Sequence, residues 1–123
     1  MAQDLISDAL NQIMNAKRVG KKELSIRRKS KLLLNLFEMM ADAGHISFED
    51  REEGVFVKIL KLNNCKAVKP RYYVSTGEVE KYLRRYLPSR NFGTLVVSTS
   101  KGLMNHEESE ANKIGGALIA YFY

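Results

Sequence analysis

Only one cysteine, Cys65, occurs in the 123-residue chain. It excludes an intramolecular disulfide and fits a reducing compartment. No apolar run approaches the roughly 20 residues that a membrane-spanning helix requires. The start, Met1-Ala2-Gln3-Asp4, lacks the basic opening and apolar core of a signal peptide. Together these absences predict a soluble, cytoplasmic protein. Neither Walker nor dinucleotide glycine spacing is present, which excludes a nucleotide-phosphate loop. The two histidines, His45 and His106, share no ligand spacing with each other or with Cys65, so no metal and no cofactor are expected. Internal repeats and low-complexity tracts are also absent.

What the chain does have is positive charge, unevenly placed. The net charge is +6 and 45% of residues are hydrophobic, enough for a core. From Lys17 to Lys31 there are eight Lys or Arg and one acid, Glu23. From Lys66 to Arg90 there are seven more against Glu78 and Glu80. The remaining chain is net acidic. Such patterning favours a polyanionic partner, whereas a surface selected for solubility alone scatters its signs.

The hydrophobic pattern predicts an α+β fold. Leu5, Ile6, Ala9, Leu10, Ile13 and Met14 recur at helical spacing over about Asp4 to Lys17, closed by Gly20. Glu23 to Arg27 alternates like a short strand. Ser30 caps a second helix through Leu33, Leu36, Phe37, Met40 and Ala43, ended by Gly44. Ile46–Arg51 and Val55–Leu62 read as an antiparallel hairpin about Glu52-Glu53-Gly54. Asn63-Asn64 marks a boundary, giving two subdomains, 1–63 and 64–123, expected to pack through their sheets. In the second, Arg71 to Val74 is strand-like. Ser75 with Glu78 forms a capping box for a helix through Leu83, and Pro88 to Asn91 is a loop. The Thr94 strand and an apolar strand from Ala117 to Tyr123 follow.

The most distinctive stretch is Ser98-Thr99-Ser100-Lys101-Gly102. It follows a β-branched run and precedes Leu103-Met104 and a helix capped by Asn105 with Glu108. Short hydroxyls, one cation and a glycine free to take positive φ suit close contact with a hydroxyl-rich anion such as RNA. The cations supply phosphate contacts, and Tyr72, Tyr73, Tyr82 or Tyr86 offers an exposed ring for a base, with plain packing as the alternative. Cations at Arg27, Arg28, Lys29 and Lys31 surround a helix N-terminus whose dipole opposes them, a cost that a bound phosphate reverses. Catalysis is poorly served. A hydrolase built on Ser98 or Ser100 has only His106 nearby as base, and both histidines read better as turn or cap residues.

The Ser98-Thr99-Ser100-Lys101-Gly102-Leu103-Met104 run, followed by Ile114-Gly115-Gly116, resembles the small-subunit ribosomal protein S8 family. Asp4, Asn15, Ser30-Lys31-Leu32, the Gly44 turn and Arg71-Tyr72-Tyr73 match in the same order, and Ala67 to Arg90 is closer to the archaeal and eukaryotic branch. The resemblance implies two packed α+β subdomains. It also implies a structural, non-enzymatic protein that binds the central domain of small-subunit rRNA, supports assembly and touches neighbouring ribosomal proteins. It carries RNA contacts to Ser98, Thr99, Ser100, Lys101 and Gly102, to Arg28, Ser30 and Lys31, and to Tyr73, with Tyr72 as its alternative. One departure is Ser109-Glu110, where the family usually has alanine and a basic residue, which transfers a phosphate contact to Lys113. A basic protein-interaction or mRNA-binding module outside the ribosome is the competing reading.

Overall fold

A computed structural model describes residues 5–68, 73–88 and 92–123. The fold is α+β, and its strands form two separate sheets. The chain divides into two compact units, Met1–Cys65 and Lys66–Tyr123. The expectations placed on Asp4, Arg71, Tyr72 and the Ser89–Asn91 loop lie outside the described residues.

The first unit holds α1 (Leu5–Arg18), β1 (Glu23–Ile26), α2 (Lys31–Asp42), β2 (Ile46–Arg51) and β3 (Gly54–Ile59). Helix α1 buries Ile6, Ala9, Leu10, Ile13 and Ala16, and α2 buries Leu33, Leu36, Phe37 and Met40. Both stripes follow helical spacing, so each helix has one apolar face to cover. Strand β3 is central in the order β1-β3-β2, and both pairings are antiparallel. Ile26, Ile46, Val55 and Val57 are buried, while Ser25, Glu49, Phe56 and Lys58 are exposed, so one sheet face is covered and the other is open. The expected hairpin differs in detail. Gly54 pairs with Arg51 inside β3, leaving a two-residue turn, Glu52-Glu53. Its glycine is needed for another reason: a Cβ there would come within 2.5 Å of the Ile26 carbonyl, at φ +148.

Strand β4 (Cys65–Ala67) starts at the boundary, and the second unit continues with β5 (Tyr73–Val74), a 3-10 turn (Thr76–Glu78), α3 (Val79–Tyr86), β6 (Thr94–Thr99), β7 (Gly102–Asn105), α4 (His106–Asn112) and β8 (Gly116–Phe122). The sheet order is β4-β8-β6-β7, with β5 on β8. The doubly apolar last strand is therefore interior, and its residues are buried from Gly116 to Ala120. Helix α3 contributes Val79 and Leu83 to a core that includes Val74, Leu95, Val97 and Leu118. The Ser75–Glu78 capping box forms, and its hydrogen bonds from the Ser75 N–H and hydroxyl hold the Glu78 carboxyl below the usual carboxylate range. Strand β7 was not anticipated. Leu103 and Met104 do not lead straight from the tip into a helix but pair with Ser98 and Val97.

Cys65 is buried, and its thiol points to the Leu10 carbonyl at 3.8 Å. Burial pushes its pKa to about 12. The neutral thiol therefore persists through physiological pH, and the nucleophilic thiolate does not form there. Thiol-reactive dyes at pH 7–8 are expected to label the native protein at the rate of global opening and the urea-unfolded protein at once. Equally fast labelling of both would contradict this burial.

Candidate nucleic-acid interface

Strand alternation decides which of the distinctive residues meet. In β6, Leu95 and Val97 face the α3 core, so Ser98 faces the other side. Ser98 pairs with Ala117 of β8, and Ala117 also pairs with Tyr73 of β5 from the opposite edge. Cross-strand partners share a face, so Tyr73, Ala117, Ser98 and Leu103 form one row across four strands. Two strand spacings, roughly 10 Å, separate Tyr73 from Ser98. Only the short Ala117 side chain stands between them. Tyr73 is 85% exposed, with its ring off the core. Residues distant in sequence thus converge on one end of the sheet.

Two glycines make this convergence possible. A Cβ on Gly116 would collide with the Ser98 carbonyl, and one on Gly115 with the Val74 carbonyl. Here the requirement is space between strands. At Gly102 it is torsional: φ is +108, and nothing lies within 4 Å of where its Cβ would be.

The tip is a two-residue hairpin turn, Ser100-Lys101, closed by the Thr99–Gly102 pair. Thr99 Oγ1 accepts from the Lys101 N–H at 3.1 Å and donates to the Gly102 carbonyl at 2.9 Å. Its hydroxyl is spent holding the turn. Ser100 and Lys101 are exposed and Ser98 half-buried. The three hydroxyls therefore divide their work: Thr99 shapes the tip, and Ser98 and Ser100 are displayed by it.

His106 is 4% exposed, and its Nδ1 accepts the Leu95 N–H at 3.2 Å. That fixes the Nε2–H tautomer and commits the ring to joining α4 to β6. The sequence expectation of a turn or cap residue is corrected here: the ring follows the Asn105 cap and is committed to the Leu95 N–H. Tyr82 and Tyr86 are packing residues, stacked at 6.4 Å, with Tyr86 5.2 Å from Tyr121. Among the described residues no cluster of three or more His, Cys, Asp or Glu could hold a metal.

In the first unit, Ser30 is the N-cap of α2, its Oγ accepting the Leu33 N–H at 3.1 Å. No acid occupies the first turn, and Lys31 is exposed there. Arg28 lies 3.9 Å from Asp8, both more than half exposed, a contact worth little in water. Lys29 is different. Its ammonium binds the Asp50 carboxylate and the Arg51 carbonyl, each at 2.6 Å, so it fastens the loop before α2 to the hairpin.

At the far end of α4, Ser109 is fully buried and its hydroxyl donates to the Ile114 carbonyl. A small hydroxyl residue there anchors the helix exit, which explains the departure at this position. Lys113 is the exposed C-cap, left-handed at φ 55.

With the geometry in place, comparison with known proteins identifies the lineage. The family described as Ribosomal protein S8 matches residues 4–123. The small ribosomal subunit protein uS8 of Archaeoglobus fulgidus is 40% identical over 129 residues, covering 100% of both chains. The chain belongs to the ribosomal protein S8 family. It is a structural protein of the small ribosomal subunit that binds rRNA.

Two tests follow from the turn and strand spacing. Thr99→Ala is expected to loosen the hairpin by about 0.5–1.5 kcal/mol, read as faster amide exchange at Lys101, while Thr99→Ser keeps the native rate. An unchanged Lys101 rate in Thr99→Ala would contradict the turn assignment. Gly116→Ala is expected to cost about 1–3 kcal/mol through overpacking against Ser98, measured by urea unfolding. A neutral result would mean that β6 and β8 separate freely.

Proposed function

We propose that this protein binds the central domain of small-subunit rRNA directly, early in assembly, and then remains as a non-catalytic component of the cytoplasmic ribosome beside other small-subunit proteins. The observation that carries this reading is the row Tyr73–Ala117–Ser98 ending at the Ser100-Lys101 turn. It presents an aromatic ring, hydroxyls and one cation on a rigid sheet end, the chemistry suited to a shallow RNA groove with an unstacked base. In this reading Tyr73 stacks, Ser98 and Ser100 exchange hydrogen bonds with ribose or base edges, and Gly102 lets the backbone approach. Lys101, Arg28 and Lys31 hold phosphates. Ser30 positions the α2 N-terminus so that its remaining N–H groups face an anion. The tip of the C-terminal unit supplies shape recognition, and cations of both units supply phosphate contacts. Lys113, beside Gly115, adds the phosphate contact that Glu110 cannot make.

Phosphate contacts are common to every RNA, whereas displayed hydroxyls fit one site. Ser98→Ala or Ser100→Ala is therefore expected to weaken a cognate central-domain fragment by about 1–3 kcal/mol and leave a scrambled duplex unaffected. Lys31→Ala is expected to weaken both and to lower the slope of log K against log salt by about 0.7–0.9. Binding curves on the two RNAs at two salt concentrations measure this. Equal losses on both RNAs for the serine variants would reduce the tip to an ordinary turn.

A further inference from the structure

The basic cluster before α2 is partly spent within the fold. Lys29 is held by Asp50, Arg28 lies near Asp8, and the Glu52-Glu53 turn follows Arg51 at the same end of the sheet. The opposite end of that sheet is different. The last turn of α1 carries Lys17 and Arg18, the α1–β1 connection carries Lys21 and Lys22, and the end of β3 and the residues after it bring Lys58 and Lys61 beside them. Register places Lys58 opposite Glu23, and the Ile59 N–H donates to the Lys22 carbonyl at 2.7 Å. The Lys61 carbonyl is held by His45 Nδ1 at 2.6 Å. All six cations are exposed, and among the described residues Glu23, opposite Lys58, and Glu49 on the same face of the sheet are acids close to them. Among the described residues none of the six enters an ion pair.

The helix dipole explains Lys17 and Arg18, which occupy the last turn of α1. It does not explain the other four. The connection that carries Lys21 and Lys22 is also rigid: the Gly20 N–H, at φ +84, donates to the Lys17 carbonyl and the Lys21 N–H to the Ala16 carbonyl, at 3.1 and 2.9 Å, a Schellman closure. A field of predominantly positive sign on a fixed connection suits a polyanion.

We propose that this end of the N-terminal sheet, Lys17 to Lys22 with Lys58 and Lys61, is a phosphate-binding surface that grips an rRNA backbone and supplies most of the unit's electrostatic affinity. The proposal rests on the RNA-binding reading above and goes beyond Arg28, Ser30 and Lys31. The surface reads no bases.

The test is acetylation footprinting of the full chain, free and bound to deproteinised small-subunit rRNA, paired with salt titrations. Lys17, Lys21, Lys22, Lys58 and Lys61 are expected to be acetylated several-fold more slowly in the complex. A Lys21→Gln, Lys22→Gln, Lys58→Gln variant is expected to lower the salt slope by about 2–3 units, more than Arg28→Gln with Lys31→Gln, and to keep the native circular dichroism. Unchanged acetylation at these lysines with Lys101 still protected would overturn the proposal and leave the RNA-binding reading intact. Protection seen only in the intact subunit would assign the surface to an acidic protein neighbour and overturn it too. Loss of protection everywhere, Lys101 included, would bring down both.

Discussion

The close approach of β8 to the strands on either side is the constraint on which the recognition end depends. Gly115 and Gly116 lie against the carbonyls of Val74 and Ser98, where no side chain fits. Ala117, one residue on, is the shared partner of Tyr73 and Ser98. A larger residue at any of the three would move the exposed ring and the hydroxyl strand apart or cover the surface between them. The hydrophobic core beneath, from Val74 to Leu118, sets where the sheet lies. The glycines set how tightly it is drawn at the end that carries Tyr73 and Ser98.

In the proposed reading, shape is read at the C-terminal tip and charge is supplied by cations of both units. The C-terminal sheet end carries few cations and several neutral donors and acceptors, so its contribution depends on distance and angle. The N-terminal unit carries many cations on turns and strand ends, where flexible side chains tolerate variation in phosphate position. Phosphate contacts orient a nucleic acid and base-edge or ribose contacts discriminate among candidates.

Much of this was legible in the residues because the signals were local. Ser30, the Ser75–Glu78 box, Asn105 with Glu108 and the positive φ of Gly102 are each settled within four residues, and each forms. Strand β7 escaped because Gly102-Leu103-Met104-Asn105 has no β-branched residue and Asn105 doubles as a helix cap. Its strand character comes from pairing with β6. Thr99 looked like a third displayed hydroxyl because composition cannot distinguish a side chain that closes a turn from one that leaves it. His106 was misjudged for the same reason: its partner, the Leu95 N–H, is eleven residues away across a strand pair. The gathering of Lys58 and Lys61 beside Lys17 to Lys22 is likewise a product of antiparallel pairing, and no window along the chain contains it.

The central claim is that a preformed sheet end, not a loop that reorganises, meets the RNA. Amide chemical-shift mapping of the isotope-labelled protein, titrated with a central-domain rRNA fragment, addresses it most directly. The account predicts the largest shifts at Tyr73, Ser98 to Gly102 and Gly115 to Ala117, with the Thr99–Gly102 and Ser98–Ala117 pairings intact in the complex. Large shifts confined to other surfaces, or loss of those pairings on binding, would contradict it.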